Sequence, residues 1–195
     1  MKIKTLALSI AALAGMSLLV NLPAQAADDQ LMGNSIGEFT VAKGELTLDA
    51  VPTFAFEPTD VKQLVTNGAN LAYTNDTITG GKTTGTALTV SDYRGSDQAG
   101  WNLNAKLGDF SNKTSTITGT VTYVTDNAAA GTIAAADSTV WNNTDAKTGG
   151  VGTATAGTTT STKLVIPKTT GISSGTYDAD LTWALSSTAS DTTSD

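Results

Sequence analysis

The chain has 195 residues, with 18 acidic and 11 basic side chains, a formal charge of −7, no histidine and no cysteine. Without cysteine there are no disulfides, thiolate zinc sites or iron–sulfur clusters, and without histidine no imidazole-based triads or imidazole-bound metals. The 36 threonines and 19 glycines, against 15% charged residues, predict an all-β fold: an antiparallel β-sandwich or barrel-like domain with long Thr/Gly-rich loops.

Lys2 and Lys4 precede an apolar run over residues 6–20, and Pro23 is followed by Ala24-Gln25-Ala26. A basic start, a short apolar stretch and a small-x-small site make residues 1–26 a signal peptide. The run is shorter than the roughly 20 residues a spanning helix needs. Cleavage after Ala26 leaves 169 residues with a formal charge of −9. Residues 27–43 show little periodicity and are expected to form an extended N-terminal arm. No second hydrophobic stretch, sorting motif or lipobox cysteine follows. The exported chain is therefore expected at the cell surface without membrane insertion, retained there by non-covalent contact.

From Gly44 onward the pattern has period two, the signature of half-buried strands. Leu46/Leu48, Phe54/Phe56 and Leu88/Val90 are short instances, and residues 59–65 are the one helix candidate. Trp101, Leu103, Ala105 and Leu107 share one face of a strand. Residues 115–124 alternate threonine with Ile117, Gly119, Val121 and Tyr123 and read as a single strand. Val140-Trp141-Asn142-Asn143 reads as a loop, and residues 145–161, poor in large hydrophobes, as a long solvent-facing loop. A strand at residues 162–166 stops at Pro167. The last strand places Tyr177, Ala179, Leu181, Trp183 and Leu185 on one face, opposite Asp178, Asp180 and Thr182. Asn67-Gly68, Gly80-Gly81, Gly149-Gly150 and Ser174-Gly175 mark turns between these runs.

Two blocks carry a resemblance. Leu88-Thr89-Val90-Ser91-Asp92-Tyr93-Arg94-Gly95 followed by Gly100-Trp101-Asn102-Leu103 resembles a V-x-D-x-R-G…G-W-x-L pattern. Gly175-Thr176-Tyr177 followed by Leu181-Thr182-Trp183-Ala184-Leu185 resembles a Y-x-x-x-L-T-W-x-L ending. Both are similar to the paired motifs of the WxL-domain cell-surface proteins of low-GC Gram-positive bacteria. The resemblance covers residues 44–186, leaving a polar tail at 187–195; Ala189 stands where the family usually has proline. It implies a secreted protein held non-covalently on peptidoglycan, acting with companion surface proteins in adhesion or polysaccharide handling.

The motif residues Trp101, Leu103, Trp183 and Leu185 admit two roles, core anchors or a platform for wall sugars or a partner. Trp141, outside both motifs, is the candidate expected to be exposed. Asp92 and Arg94, the chain's single arginine, suit an ion pair or turn cap, and Tyr177 supports the second motif. Asp178 and Asp180 read as solvated charges rather than a glycosidase pair. No catalytic set, cofactor or metal site is expected, and the acidity argues against a nucleic-acid partner. The competing readings are a fimbrial or pilin-like structural subunit and, further back, a secreted carbohydrate-active enzyme.

Overall fold

Threonine alternating with larger apolar residues suits a strand, which buries every second side chain. A computed structural model describes residues 35–76, 78, 85–96, 100–147 and 151–188. The signal peptide, the Gly80-Gly81 and Gly149-Gly150 turns, and Ala189 with the end of the tail lie outside the described residues. The chain divides into two units, Met1–Thr40 and Val41–Asp195. In the first unit, residues 35–40 carry no helix or strand.

The second unit runs β1 (Leu46–Ala50), β2 (Ala55–Phe56), α1 (Val61–Thr66), β3 (Ala69–Thr74), β4 (Ala87–Asp92), β5 (Trp101–Leu107) and β6 (Phe110–Ser111). It continues β7 (Thr116–Ile117), β8 (Thr120–Val124), β9 (Ala130–Ile133), β10 (Ser138–Asn142), α2 (Asn143–Ala146), β11 (Gly152–Gly157), β12 (Lys163–Ile166) and β13 (Leu181–Ser187). The pairings are antiparallel and make three main sheets, β1-β4-β11, β10-β5-β13 and β2-β3-β12-β8-β9, with a small β6-β7 ribbon. β9 packs against β10, and β1 lies beside β13. The sheets therefore enclose one core, to which Leu88, Trp101, Leu103, Val121, Tyr123 and Ile133 contribute side chains with no exposed surface. The fold is all-β, as the composition predicts.

Local chemistry explains the turns. Asp60 caps α1 by accepting the Gln63 backbone N–H at 2.8 Å. The helix ends at Asn67, and Gly68 follows at φ +75°, with its absent Cβ only 2.5 Å from the Ile166 carbonyl oxygen. Any other residue would be strained there and would collide with backbone.

Three expectations are corrected. Residues 145–161 are not a solvent-facing loop: they include β11, which pairs with β4 from Gly152↔Asp92 to Gly157↔Ala87. Ala154 and Ala156 are buried opposite Val90 and Leu88, so small side chains accommodate large ones across the ladder. Residues 115–124 are two strands: Ile117 pairs with Phe110, whereas Val121 pairs with Leu164 and Ile133. Trp141 is not in a loop but in β10, and it is 1% exposed.

β4 carries a charge into the core. Leu88, Val90 and Asp92 alternate onto its inner face, and Asp92 is 1% exposed. Arg94 folds back to grip it, Nε to Oδ1 at 2.8 Å and Nη2 to Oδ2 at 2.9 Å, while the Arg94 backbone N–H also reaches Oδ1. Nη1 donates to Ser187 Oγ at 2.7 Å, tying β4 to β13. These hydrogen bonds hold the Asp92 carboxyl below its ordinary range although burial acts the other way. A depressed carboxylate pKa stabilises the fold above the unfolded pKa, near 4, and that stability is lost as pH falls through the folded pKa. Replacing Arg94 by methionine removes the side-chain hydrogen bonds and leaves burial opposed only by the backbone N–H of residue 94, so the Asp92 pKa rises from its native value. Arg94→Met is expected to cost about 3–5 kcal/mol at pH 7 and distinctly less near pH 4. Urea unfolding at both pH values checks this; an equal loss at both would show that Asp92 does not depend on the pair.

Candidate binding site

The two W-x-L motifs meet on one ladder. β5 and β13 pair so that Leu103 faces Leu185, Trp101 faces Ser187 and Trp183 faces Ala105. Each tryptophan thus stands opposite a small residue, and the leucines form the pair between them. Trp101 is fully buried and packs edge-on against Trp141, with ring centroids 5.6 Å apart at 81°. Both indole N–H groups are buried without a hydrogen-bond partner among the described residues. Gly100, just before the motif, leaves room for Asn143, whose Oδ1 accepts the Trp101 backbone N–H at 3.2 Å. A Cβ on Gly100 would lie 2.3 Å from that oxygen.

Trp183 differs from Trp101. It is half-buried and packs edge-on against Tyr123 at 5.8 Å, whose other neighbour is Phe54 at 5.4 Å. Burial pushes the Tyr123 hydroxyl up to about 12. Phe54 continues the aromatic row to Tyr73 and Phe56.

This row borders a cleft of about 1300 Å³. One wall is residues 51–61, including β2; the other is residues 172–183, which lead into β13. The second wall is pinned from behind. Ser111 and Asp178 exchange backbone hydrogen bonds at 2.8 and 3.1 Å, and the Gly108 N–H donates to the Asp180 carbonyl at 2.8 Å. Tyr177 donates to the Ser173 carbonyl at 2.8 Å and makes a short hydrogen bond with Ser115 Oγ. Asn112 braces the same turn, accepting the Ser115 N–H and donating to Ser173 Oγ. The apolar lining of the cleft includes the part-exposed Leu71, Ile78, Phe110 and Ile172 and the buried Leu64, Ile117, Val121 and Leu164. The rim holds Glu57, Asp60, Asp76, Asp109, Asp178 and Asp180, and among the described residues no lysine or arginine lines the cleft.

Of the residues singled out from the sequence, Tyr177 and Trp183 line this cleft, and Asp178 and Asp180 stand exposed on its rim. Trp101, Leu103 and Trp141 are interior, Leu185 is half-buried on the core side, and Asp92 with Arg94 forms an internal clamp. Sequence reading took Phe54 and Phe56 only as strand residues and did not single out Phe110, Glu57 or Asp109. Nothing local to those positions shows that they share a cleft with residues far away in the sequence. Among the described residues, no group of three or more potential metal-ligating side chains comes together, and no helix is long and apolar enough to cross a membrane.

The paired W-x-L strands form the β5–β13 ladder of an antiparallel all-β fold with a cleft on one side. A family model described as WxL domain surface cell wall-binding matches residues 23–148. The match takes in more than half of the chain, which belongs to that family and is a cell-wall-associated surface protein. It contains the first W-x-L at Trp101 and stops before β11; the β5–β13 ladder joins the second W-x-L to it. No curated protein and no solved structure matches the chain.

The two tryptophans are expected to respond differently to truncation. Trp101→Ala should cost about 3–5 kcal/mol by opening a cavity in a closed core. Trp183→Ala should cost a clearly smaller amount, because one side of the ring already borders the cleft. Urea unfolding of both variants measures the difference, and equal losses would show Trp183 to be enclosed as fully as Trp101.

Proposed function

We propose that this protein is a non-enzymatic component of the cell surface, held non-covalently on peptidoglycan and acting in a multi-protein surface complex in adhesion or polysaccharide handling. Residues 44–186 form its WxL domain, with residues 27–43 as an arm and 187–195 as a tail. The observation that carries this reading is the family match over residues 23–148, whose description is surface cell-wall binding. The internal placement of Trp101, Leu103 and Trp141 agrees with it: the motif residues build the scaffold, and binding falls to what the scaffold presents.

Wall polymers carry phosphates and carboxylates, so a mature chain of formal charge −9 is repelled by the bulk wall near neutral pH. Retention then rests on hydrogen bonding and stacking. Carboxylates titrate near pH 4, so acidification from pH 7 towards 4.5 removes negative charge from protein and wall together. Sedimentation with purified wall sacculi is expected to increase smoothly over that range. No histidine is present to produce a step near pH 6.5. Added salt should mimic part of the increase at pH 7 by screening, and a chaotrope should release the protein. Absence of sedimentation at every pH would overturn wall binding, and release of reducing sugar from the sacculi above a heat-inactivated control would overturn the non-enzymatic reading.

A further inference from the structure

We propose that the cleft between residues 51–61 and 172–183 is a strand-addition site for an extended segment of a partner polypeptide whose side chains alternate apolar and basic. The inference rests on the reading of this protein as one member of a surface complex, and it names the chemistry of the contact.

Three features of the cleft carry it. The first is the pattern of paired edges. β2 pairs with β3 and β13 pairs with β5, and each is the last strand of its sheet. On the opposite side of the sandwich the end strands β9 and β10 pack together, closing the core. On the β2 and β13 side, where β1 lies beside β13, no strand among the described residues pairs with the outer edge of either, and the cleft lies there. Behind its second wall, Asp178 exchanges backbone hydrogen bonds with Ser111 and the Asp180 carbonyl accepts from Gly108, and in an extended segment the groups of the intervening Ala179 point the other way. An edge of this kind is satisfied by the N–H and C=O groups of another strand.

The second feature is the apolar lining. Leu71, Ile78, Ile172, Phe54, Phe56 and Phe110 are part-exposed apolar side chains, which complement valine, leucine or isoleucine. The cleft, at about 1300 Å³, also exceeds the ≈ 300–1,000 Å³ typical of a small-molecule pocket, which suits a polymer segment.

The third feature is charge. Six carboxylates, Glu57, Asp60, Asp76, Asp109, Asp178 and Asp180, rim the cleft, and among the described residues no basic side chain lines it. Such a rim repels wall polymers and attracts ammonium or guanidinium groups. In an extended segment, side chains alternate, so apolar residues reach the apolar lining while lysines or arginines between them remain at the rim.

The probe is a decapeptide alternating valine and lysine, followed by fluorescence anisotropy on the full mature chain. It is compared with the same peptide carrying glutamate for lysine and with one N-methylated at alternate residues. The lysine peptide is expected to bind, with at least about tenfold loss on charge reversal and on N-methylation. The variant combining Glu57→Gln, Asp178→Asn and Asp180→Asn removes exposed charges, and urea unfolding checks that it stays folded. It is expected to weaken the lysine peptide about tenfold, the sum of three exposed ion pairs. Sedimentation of the wild type with wall sacculi is measured in parallel, so that failure of wall binding and failure of peptide binding are read separately. Equal binding of the glutamate peptide, or of the N-methylated peptide, would overturn the proposal. So would displacement of the peptide by soluble peptidoglycan fragments, which assigns the cleft to the wall. Self-association that the peptide fails to disperse would overturn it too, by giving the cleft to a second copy of this chain.

Discussion

The register of β5 against β13 is the constraint on which the rest of the domain depends. Antiparallel pairing sets W-x-L on one strand against L-x-W on the other, with Leu103 facing Leu185. A slip of β13 by one residue would turn Trp183 to the face of the sheet opposite Trp101. A slip of two would set Trp183 against Leu103 or Leu107 instead of Ala105, overfilling a close-packed layer. Spacing and the small partners Ala105 and Ser187 therefore fix the alignment together. Ser187 also accepts a hydrogen bond from Arg94, so the clamp on Asp92 reports on the same register from the neighbouring sheet.

The motif residues thereby acquire different roles from one another. Trp101 and Trp141 fill the closed part of the sandwich, while Trp183, on the same ladder, reaches the open side and lines the cleft. Two similar sequence motifs yield one interior and one bordering tryptophan because their strands run in opposite directions. The Asn143 contact over Gly100 adds a local requirement for glycine before the first motif. The second motif is preceded instead by the pinned segment from Ser173 to Asp180, which forms a wall rather than packing inward.

Strands with large alternating side chains were legible in the sequence, as at Leu88/Val90, Trp101/Leu103 and Leu181/Trp183. Others were hidden for physical reasons. In β10 the register shifts between Thr139 and Trp141, so Val140 and Trp141 are both buried and the period of two is lost. In β11 the period is intact, but alanine against threonine gives it little amplitude. At residues 115–124 the alternation continues unbroken while the partner changes from β6 to β12 and β9, and partner choice is a long-range property. The cleft was hidden on the same grounds: Phe54 and Trp183 meet through Tyr123, not through sequence proximity.

Charge separates the two proposed contacts of this protein. The wall is anionic, so attachment to it is opposed by the net negative charge and is eased when carboxylates become protonated. The cleft works in the opposite sense, since its six carboxylates attract a basic segment. A single surface cannot satisfy both demands at one pH. The wall contact is therefore expected on a part of the domain away from the carboxylate rim, which leaves the cleft open to a partner while the domain is attached.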